Sequence, residues 1–178
     1  MVLVLVGTLL INTFVFRSFN VEGPSMEPTL QTGDRLIVNR LPVTWQTLKF
    51  ETYVPKRGEI IVFKNPNHSP GSREEYIVKR VIAFEGERVT VRGGVLTIYN
   101  DANPQGFTID DSLPDRPGFP TSGDVNTTVS EGTLFVAGDH REGDYSYDSR
   151  NGLGFVPLYD VIGPVSMRIF PITAIRFF

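Results

Sequence analysis

The chain has 178 residues, 40% of them hydrophobic, which is enough to bury one sizeable core. Its formal net charge of −3, from 17 basic and 20 acidic residues, offers no basic face of the kind nucleic-acid binders carry, so nucleic acid is set aside as a partner. The absence of cysteine excludes thiol nucleophiles, disulfides and cysteine zinc sites, and suits an extracytoplasmic location. With only His68 and His140 as imidazoles, no multi-histidine metal site is expected, and a serine hydrolase built on this chain has few histidines to use as a base.

Residues 1–16 read MVLVLVGTLLINTFVF, with no charge and only Thr8, Asn12 and Thr13 as polar side chains. A membrane anchor is expected over 1–18, although a full span needs about 20 residues. A cleavable signal peptide lacks its basic n-region and small-residue cleavage site here, and a buried strand or helix of the domain is the remaining alternative. Arg17 follows the apolar run and no basic residue precedes it, so loop charge alone would put the domain in the cytoplasm.

The next stretch, Gly23-Pro24-Ser25-Met26-Glu27-Pro28-Thr29-Leu30, cannot be a helix interior, because each proline fixes φ and pushes its predecessor toward extended geometry. An irregular turn is expected, either presenting the Ser25 hydroxyl or merely capped by it. From Val21 onward the pattern is β: Arg35–Val38 and Glu59–Phe63 are short β-branched runs bounded by Gly and Pro. Residues 41–56, with Trp45, Phe50 and Tyr53, are expected to form a partly apolar connecting loop or flap. Asn65 to Ser72 is turn chemistry, with His68 exposed in it.

Residues 76–84, YIVKRVIAF, read as a strand in which Ile77, Lys79, Val81 and Ala83 share one face and Tyr76, Val78, Arg80, Ile82 and Phe84 the other. A lysine among apolar neighbours is destabilised in its charged form, so its pKa falls from about 10.4 toward the range a general base requires. A snorkelling lysine, or one paired with Glu74 or Glu75, is the alternative.

Glu87–Val91 and Val95–Tyr99, separated by Arg92-Gly93-Gly94, read as a hairpin. Residues 100–130 turn to Asp, Asn, Pro, Gly and Ser and are expected to be a loop insert or small cap, with an Asn126-Thr127-Thr128 glycosylation pattern of little weight. In the stretch that begins Gly132-Thr133-Leu134-Phe135-Val136-Ala137, a strand enters a charged run, Gly138-Asp139-His140-Arg141 through Ser146-Tyr147-Asp148-Ser149-Arg150. Its alternating Asp and Arg suit two-pronged ion pairs that fix a loop, and the acid spacing and glycine of an EF-hand are absent. Residues 161–178 read as closing strands.

Taken together, these stretches resemble type I signal peptidases, membrane-anchored Ser/Lys proteases that remove signal peptides. Ser25-Met26-x-Pro28-Thr29-Leu30 is similar to the nucleophile box, Gly33-Asp34-x-x-x-Val38 to the strand after it, Tyr76-x-x-Lys79-Arg80-Val81 to the base box, and Gly138-Asp139-x-Arg141 with Ser146-x-Asp148-Ser149-Arg150 to the last box. The resemblance implies a mostly β fold: an antiparallel β-sheet catalytic domain over 19–178, of the kind shared with LexA-like proteins, behind an N-terminal transmembrane or membrane-associated segment. It implies a single pass of the plasma membrane with the domain on the extracytoplasmic side, overriding the charge-based orientation.

The same resemblance implies Ser25 as nucleophile and Lys79 as general base, with Ser146 orienting the Lys79 amine and Asp139, Arg141, Asp148 and Arg150 fixing the last loop. Substrates are preproteins carrying small residues before the cleavage site, bound as a strand between Asn20-Val21-Glu22 and Tyr76-Ile77-Val78, with Gly23 and Met26 also against the substrate. Membrane lipid is a further partner, a monomer is expected, and neither metal nor cofactor is. Three departures stand out: Gly23 where some members carry a hydroxyl oxyanion donor, His140 where many carry Asn, and two extra residues between Arg141 and Ser146. A self-cleaving LexA-like protease, a Ser-His-Asp hydrolase using His140, and an inactive membrane-tethered binding domain are the competing readings.

Overall fold

The computed structural model describes residues 2–69, 71, 75–113 and 120–178. In chain order it has α1 (Val2–Phe14), β1 (Phe16–Asn20), β2 (Arg35–Asn39), α2 (Leu41–Leu48), β3 (Ile60–Lys64), β4 (Tyr76–Phe84), β5 (Arg88–Arg92), β6 (Val95–Asn100) and β7 (Asn103–Phe107). Then come β8 (Val125–Thr128), β9 (Thr133–Ala137), β10 (Val156–Pro157), β11 (Val161–Phe170) and β12 (Arg176–Phe177). One sheet runs β1-β2-β11-β3-β4-β9-β10, with β12 on β11, and a second runs β7-β6-β5-β8. Every strand pairing among the described residues is antiparallel.

Strand β3 shows why these apolar runs are strands. Ile61 and Phe63 enter one core cluster with Ile77 and Val136, while Ile60 and Val62 enter another with Met26, Leu36 and Val165. A period of two delivers consecutive residues to opposite faces, so a strand covered on both sides needs an unbroken apolar run. A third cluster, with Val89, Val91, Leu96 and Ile98, joins the second sheet to β4 and β9 through Ile82, Ala83 and Phe135. In the β5–β6 hairpin Gly93 and Gly94 have φ of 56° and 82°, the two left-handed positions that a two-residue turn needs.

Four expectations change. Residues 41–48 are helical, with Pro42 in the first turn, where its missing N–H is no loss. The 100–130 segment is not all loop: β7 pairs with β6 and β8 with β5, and residues 114–119 lie outside the described residues. The strict two-face reading of β4 fails at a register shift between Val81 and Ala83, beyond which Ile82 and Ala83 pack in the same cluster. His68 is half-buried rather than exposed. In the turn around it, Pro70 and Ser72 lie outside the described residues, as do Met1 and Glu74.

The N-terminal segment divides differently from the 1–18 expectation, because Phe16, Arg17 and Ser18 pair with Asn39, Val38 and Ile37 in β1. The 13 residues of α1 span about 20 Å at 1.5 Å per residue, against a hydrocarbon core of about 30 Å. Among the described residues no helix is long and apolar enough to cross a membrane.

Candidate active site

The turn that carries Ser25 is anchored by burial on one side and hydrogen bonds on the other. Met26 and Leu30 are completely buried among Leu36, Val38 and Val62, and two such side chains stabilise the turn by about 1.5–3 kcal/mol each. Glu27 N–H donates to Pro24 O at 3.0 Å and Leu30 N–H to Met26 O at 2.9 Å. The Asp34 carboxylate closes the far end, accepting from Gln31 N–H and from Arg168, both at 2.9 Å. Ser25 itself stays half-buried.

Lys79 comes from the middle of β4, where its face-neighbours Ile77 and Val81 lie in the core and the lysine is 3% exposed. Its Nζ is 2.7 Å from Ser25 Oγ and 2.9 Å from the Val78 carbonyl, to which it donates. The antiparallel ladder to β3, with Lys79 opposite Ile61, fixes the depth of the amine. His140 does not take this place. Its backbone N–H donates to the Ser25 carbonyl at 3.1 Å, and its Nδ1 is 3.3 Å from the Pro24 carbonyl.

The next residue in β4 does a different task. Arg80 closes a two-pronged pair on Asp139, with Nε to Oδ1 at 2.7 Å and the second nitrogen on Oδ2, and donates to Gly58 O at 2.7 Å. Thr29 donates its hydroxyl to the same Asp139 Oδ2 at 2.5 Å. Asp139 therefore ties the Ser25 turn to β4. Thr29 and Arg80 stand inside the quoted boxes, and their position there was the signal that they matter.

Gly138 lets the last loop approach. A Cβ there would come within 2.2 Å of Ser146 Oγ and 2.2 Å of the Ser25 carbonyl oxygen, so no other residue type fits without displacement. The buried Ser146 donates to Asp148 Oδ2 at 2.6 Å. Asp148 also accepts from Gly138 N–H, from Arg150 N–H and from two guanidinium nitrogens of Arg150. Burial works to raise the Asp148 pKa, but the Arg150 hydrogen bonds and charge, with Ser146 and Gly138 behind them, hold it below the ordinary carboxylate value. Arg141, fully buried, donates to Gly138 O at 2.7 Å and reaches Asp110 with both terminal nitrogens and Thr121 with one. Asp110 and Thr121 belong to the 100–130 segment, and nothing in the spacing of the chain pointed to them.

Beside Ser25 opens a cleft of about 510 Å³, walled by residues 19–25 on one side and 75–79 on another, with Asp144, Tyr145 and Tyr147 contributing a third side. Of the expected substrate contacts, Val21, Glu22, Gly23, Tyr76, Ile77 and Val78 line it. Met26 does not; its side chain is spent in the core. Gly23 has φ of 84° and open space where a Cβ would stand. A larger cavity of about 760 Å³, lined by Tyr53, Lys56, Arg176 and Phe178 among others, contains neither Ser25 nor Lys79.

A buried amine thus meets a serine hydroxyl at the edge of a strand-walled cleft, the arrangement of a candidate hydrolase site, and sequence comparison supplies the family. The family model for signal peptidase, peptidase S26, matches residues 1–170. The chain is 32% identical to a signal peptidase I of Bacillus licheniformis, across 98% of this chain and 88% of the relative. It is 33% identical to a signal peptidase I P of Bacillus subtilis subsp. natto over the same shares, and 33% identical to a signal peptidase I of Leptolyngbya laminosa over 91% and 72%. The crystal structure of a signal peptidase I from Enterococcus faecalis V583 aligns at 28% identity and a TM-score of 0.46, covering 64% of this chain and 98% of that one. The chain belongs to the signal peptidase, peptidase S26, family.

Proposed function

We propose that Ser25 is the nucleophile and Lys79 the general base with which this type I signal peptidase, a serine endopeptidase, removes signal peptides from preproteins. The observation that carries the assignment is the 2.7 Å separation of Lys79 Nζ and Ser25 Oγ at the wall of the cleft. A neutral amine at that distance accepts the Ser25 proton as Oγ attacks the scissile carbonyl. The proton then passes to the leaving amine, the peptide bond breaks and an ester to Ser25 remains. Lys79 next deprotonates the water that hydrolyses the ester, returning the hydroxyl.

Oxyanion stabilisation falls to the Ser25 N–H, and the missing hydroxyl at Gly23 withholds a donor of a kind whose removal elsewhere costs about 10²–10³ in rate. Ser146 acts as a positioning residue for the Lys79 amine: it donates its proton to Asp148, so its oxygen is kept as an acceptor. The signal peptide lies extended between 20–22 and 76–78, bonded through its backbone, with small side chains required before the scissile bond.

The domain from residue 19 on is the catalytic unit, with 100–130 as an insert braced by Arg141, and the apolar N-terminus holds it to the outer face of the plasma membrane. Support comes from the exposed Val4, Val6, Leu10, Ile11 and Phe14 of α1 and the exposed Leu41, Trp45 and Leu48 of α2. The two helices meet where Thr44 Oγ1 donates to Phe14 O at 2.9 Å. The test is incubation of the full chain in detergent with a preprotein bearing an Ala-x-Ala site, followed by N-terminal sequencing of the product. Cleavage after the second Ala that disappears with Ser25→Ala supports the reading. Undiminished cleavage of a substrate with Leu before the scissile bond counts against it.

A further inference from the structure

The loop between Arg141 and Ser146 stands in the cleft, where Asp144 and Tyr145 line it. Tyr145, 60% exposed, and Tyr147, 38% exposed, both line it. Each ring is held from elsewhere. Tyr145 stacks on His140 with centroids 4.6 Å apart and planes 24° from parallel. His140 is in turn fixed to the nucleophile turn through its backbone N–H on the Ser25 carbonyl. Tyr147 accepts at its hydroxyl from Asn67 Nδ2 at 3.0 Å, and the same Asn67 amide donates to Leu153 O at 2.9 Å. Exposed aromatic rings that are held in place and face a peptide cleft lose little entropy when a side chain packs on them.

We propose that Tyr145 and Tyr147 are specificity-determining residues: an aromatic wall, unused by the catalytic steps, that receives one apolar or aromatic side chain of the substrate near the scissile bond. The proposal rests on the reading that this cleft holds the signal peptide. It selects preproteins by a feature beyond the small residues of the Ala-x-Ala pattern. Asp144, beside Tyr145 on the same wall, adds a carboxylate that disfavours acidic substrates at that position.

The experiment compares preproteins that differ only by Ala→Phe, scanned through the four residues before and the two after the scissile bond, sparing the small-residue positions. At one scanned position the wild type is expected to favour Phe roughly 3- to 10-fold in kcat/KM, chiefly through KM. Tyr145→Ala with Tyr147→Ala brings that ratio to about one, whereas Tyr145→Phe, which keeps the ring stacked on His140, retains it. A ratio of about one at every position in the wild type, a ratio that survives the alanine pair, or a fall in kcat shared by all substrates overturns the proposal; the last marks the rings as braces for His140. Binding of fluorescently labelled Phe and Ala signal peptides to the Ser25→Ala protein, read by anisotropy, gives the same ratio without turnover. Absence of cleavage therefore speaks against the protease reading, and equal binding of the two peptides against the wall.

Discussion

Arg80 grips Asp139 with two guanidinium nitrogens while its chain neighbour Lys79 reaches Ser25, so β4 is locked to the last loop by one residue and to the Ser25 turn by the next. Arg80 is 5% exposed and Asp139 fully buried, so the pair tolerates no loose replacement. Arg80→Lys keeps the charge but not the fork. Chemical denaturation is expected to show a loss of about 1–3 kcal/mol, with kcat falling even well below the melting temperature. An unchanged midpoint and rate would remove Arg80 from this account.

Gly138→Ala is expected to abolish most activity through crowding alone. Its methyl would press on Ser146 Oγ and the Ser25 carbonyl, and both belong to segments that cannot retreat without moving the nucleophile. A displacement of about 1 Å at a reacting centre costs on the order of 10² in rate, so a kcat/KM loss of that size is predicted in an assay at fixed substrate.

Asp148 makes acid sensitivity predictable in sign. Its native pKa lies below the ordinary carboxylate value, so its contribution to stability is complete above the unfolded value of about 3.9 and is lost as pH falls through the lower native value. Asp148→Asn leaves the Arg150 guanidinium buried without its charge partner, for a loss of about 3–5 kcal/mol at neutral pH. Urea titrations from pH 7 down to 3 should show the gap between wild type and variant closing only below about pH 4. A constant gap would contradict the assignment.

Membrane association is testable apart from catalysis. Trp45 and Leu48 of α2 are 62% and 70% exposed, so Trp45→Glu with Leu48→Glu costs the fold little. The pair is expected to reduce co-sedimentation of the chain with lipid vesicles several-fold while leaving thermal unfolding near the wild-type value.

How much of this was legible beforehand follows from where each signal lies along the chain. Ser25 and Lys79 sit in short runs whose prolines, apolar neighbours and β-branched residues announce a turn and a buried strand. The ties of Thr29 to Asp139 and of Arg141 to Asp110 and Thr121 join distant segments, and no local spacing encodes them. The α2 helix was missed because eight residues with Pro42 and Thr44 show little helical period, and none of them is buried. Strands β7 and β8 were missed because they lie at the two edges of the small sheet, where polar residues such as Asn103, Gln105 and Asn126 are tolerated. Met26 was assigned to the substrate by resemblance, whereas its burial uses it to anchor the turn.

In the proposed mechanism the amine 2.7 Å from the Ser25 hydroxyl is the base. The most direct measurement is the cleavage rate of an Ala-x-Ala preprotein by Lys79→Met, which keeps the side-chain volume and removes the amine, with circular dichroism to verify the fold. A loss of at least about 10³-fold with the fold intact is predicted. Cleavage within about tenfold of wild type would contradict the account and move the base elsewhere, with His140 the first residue to change.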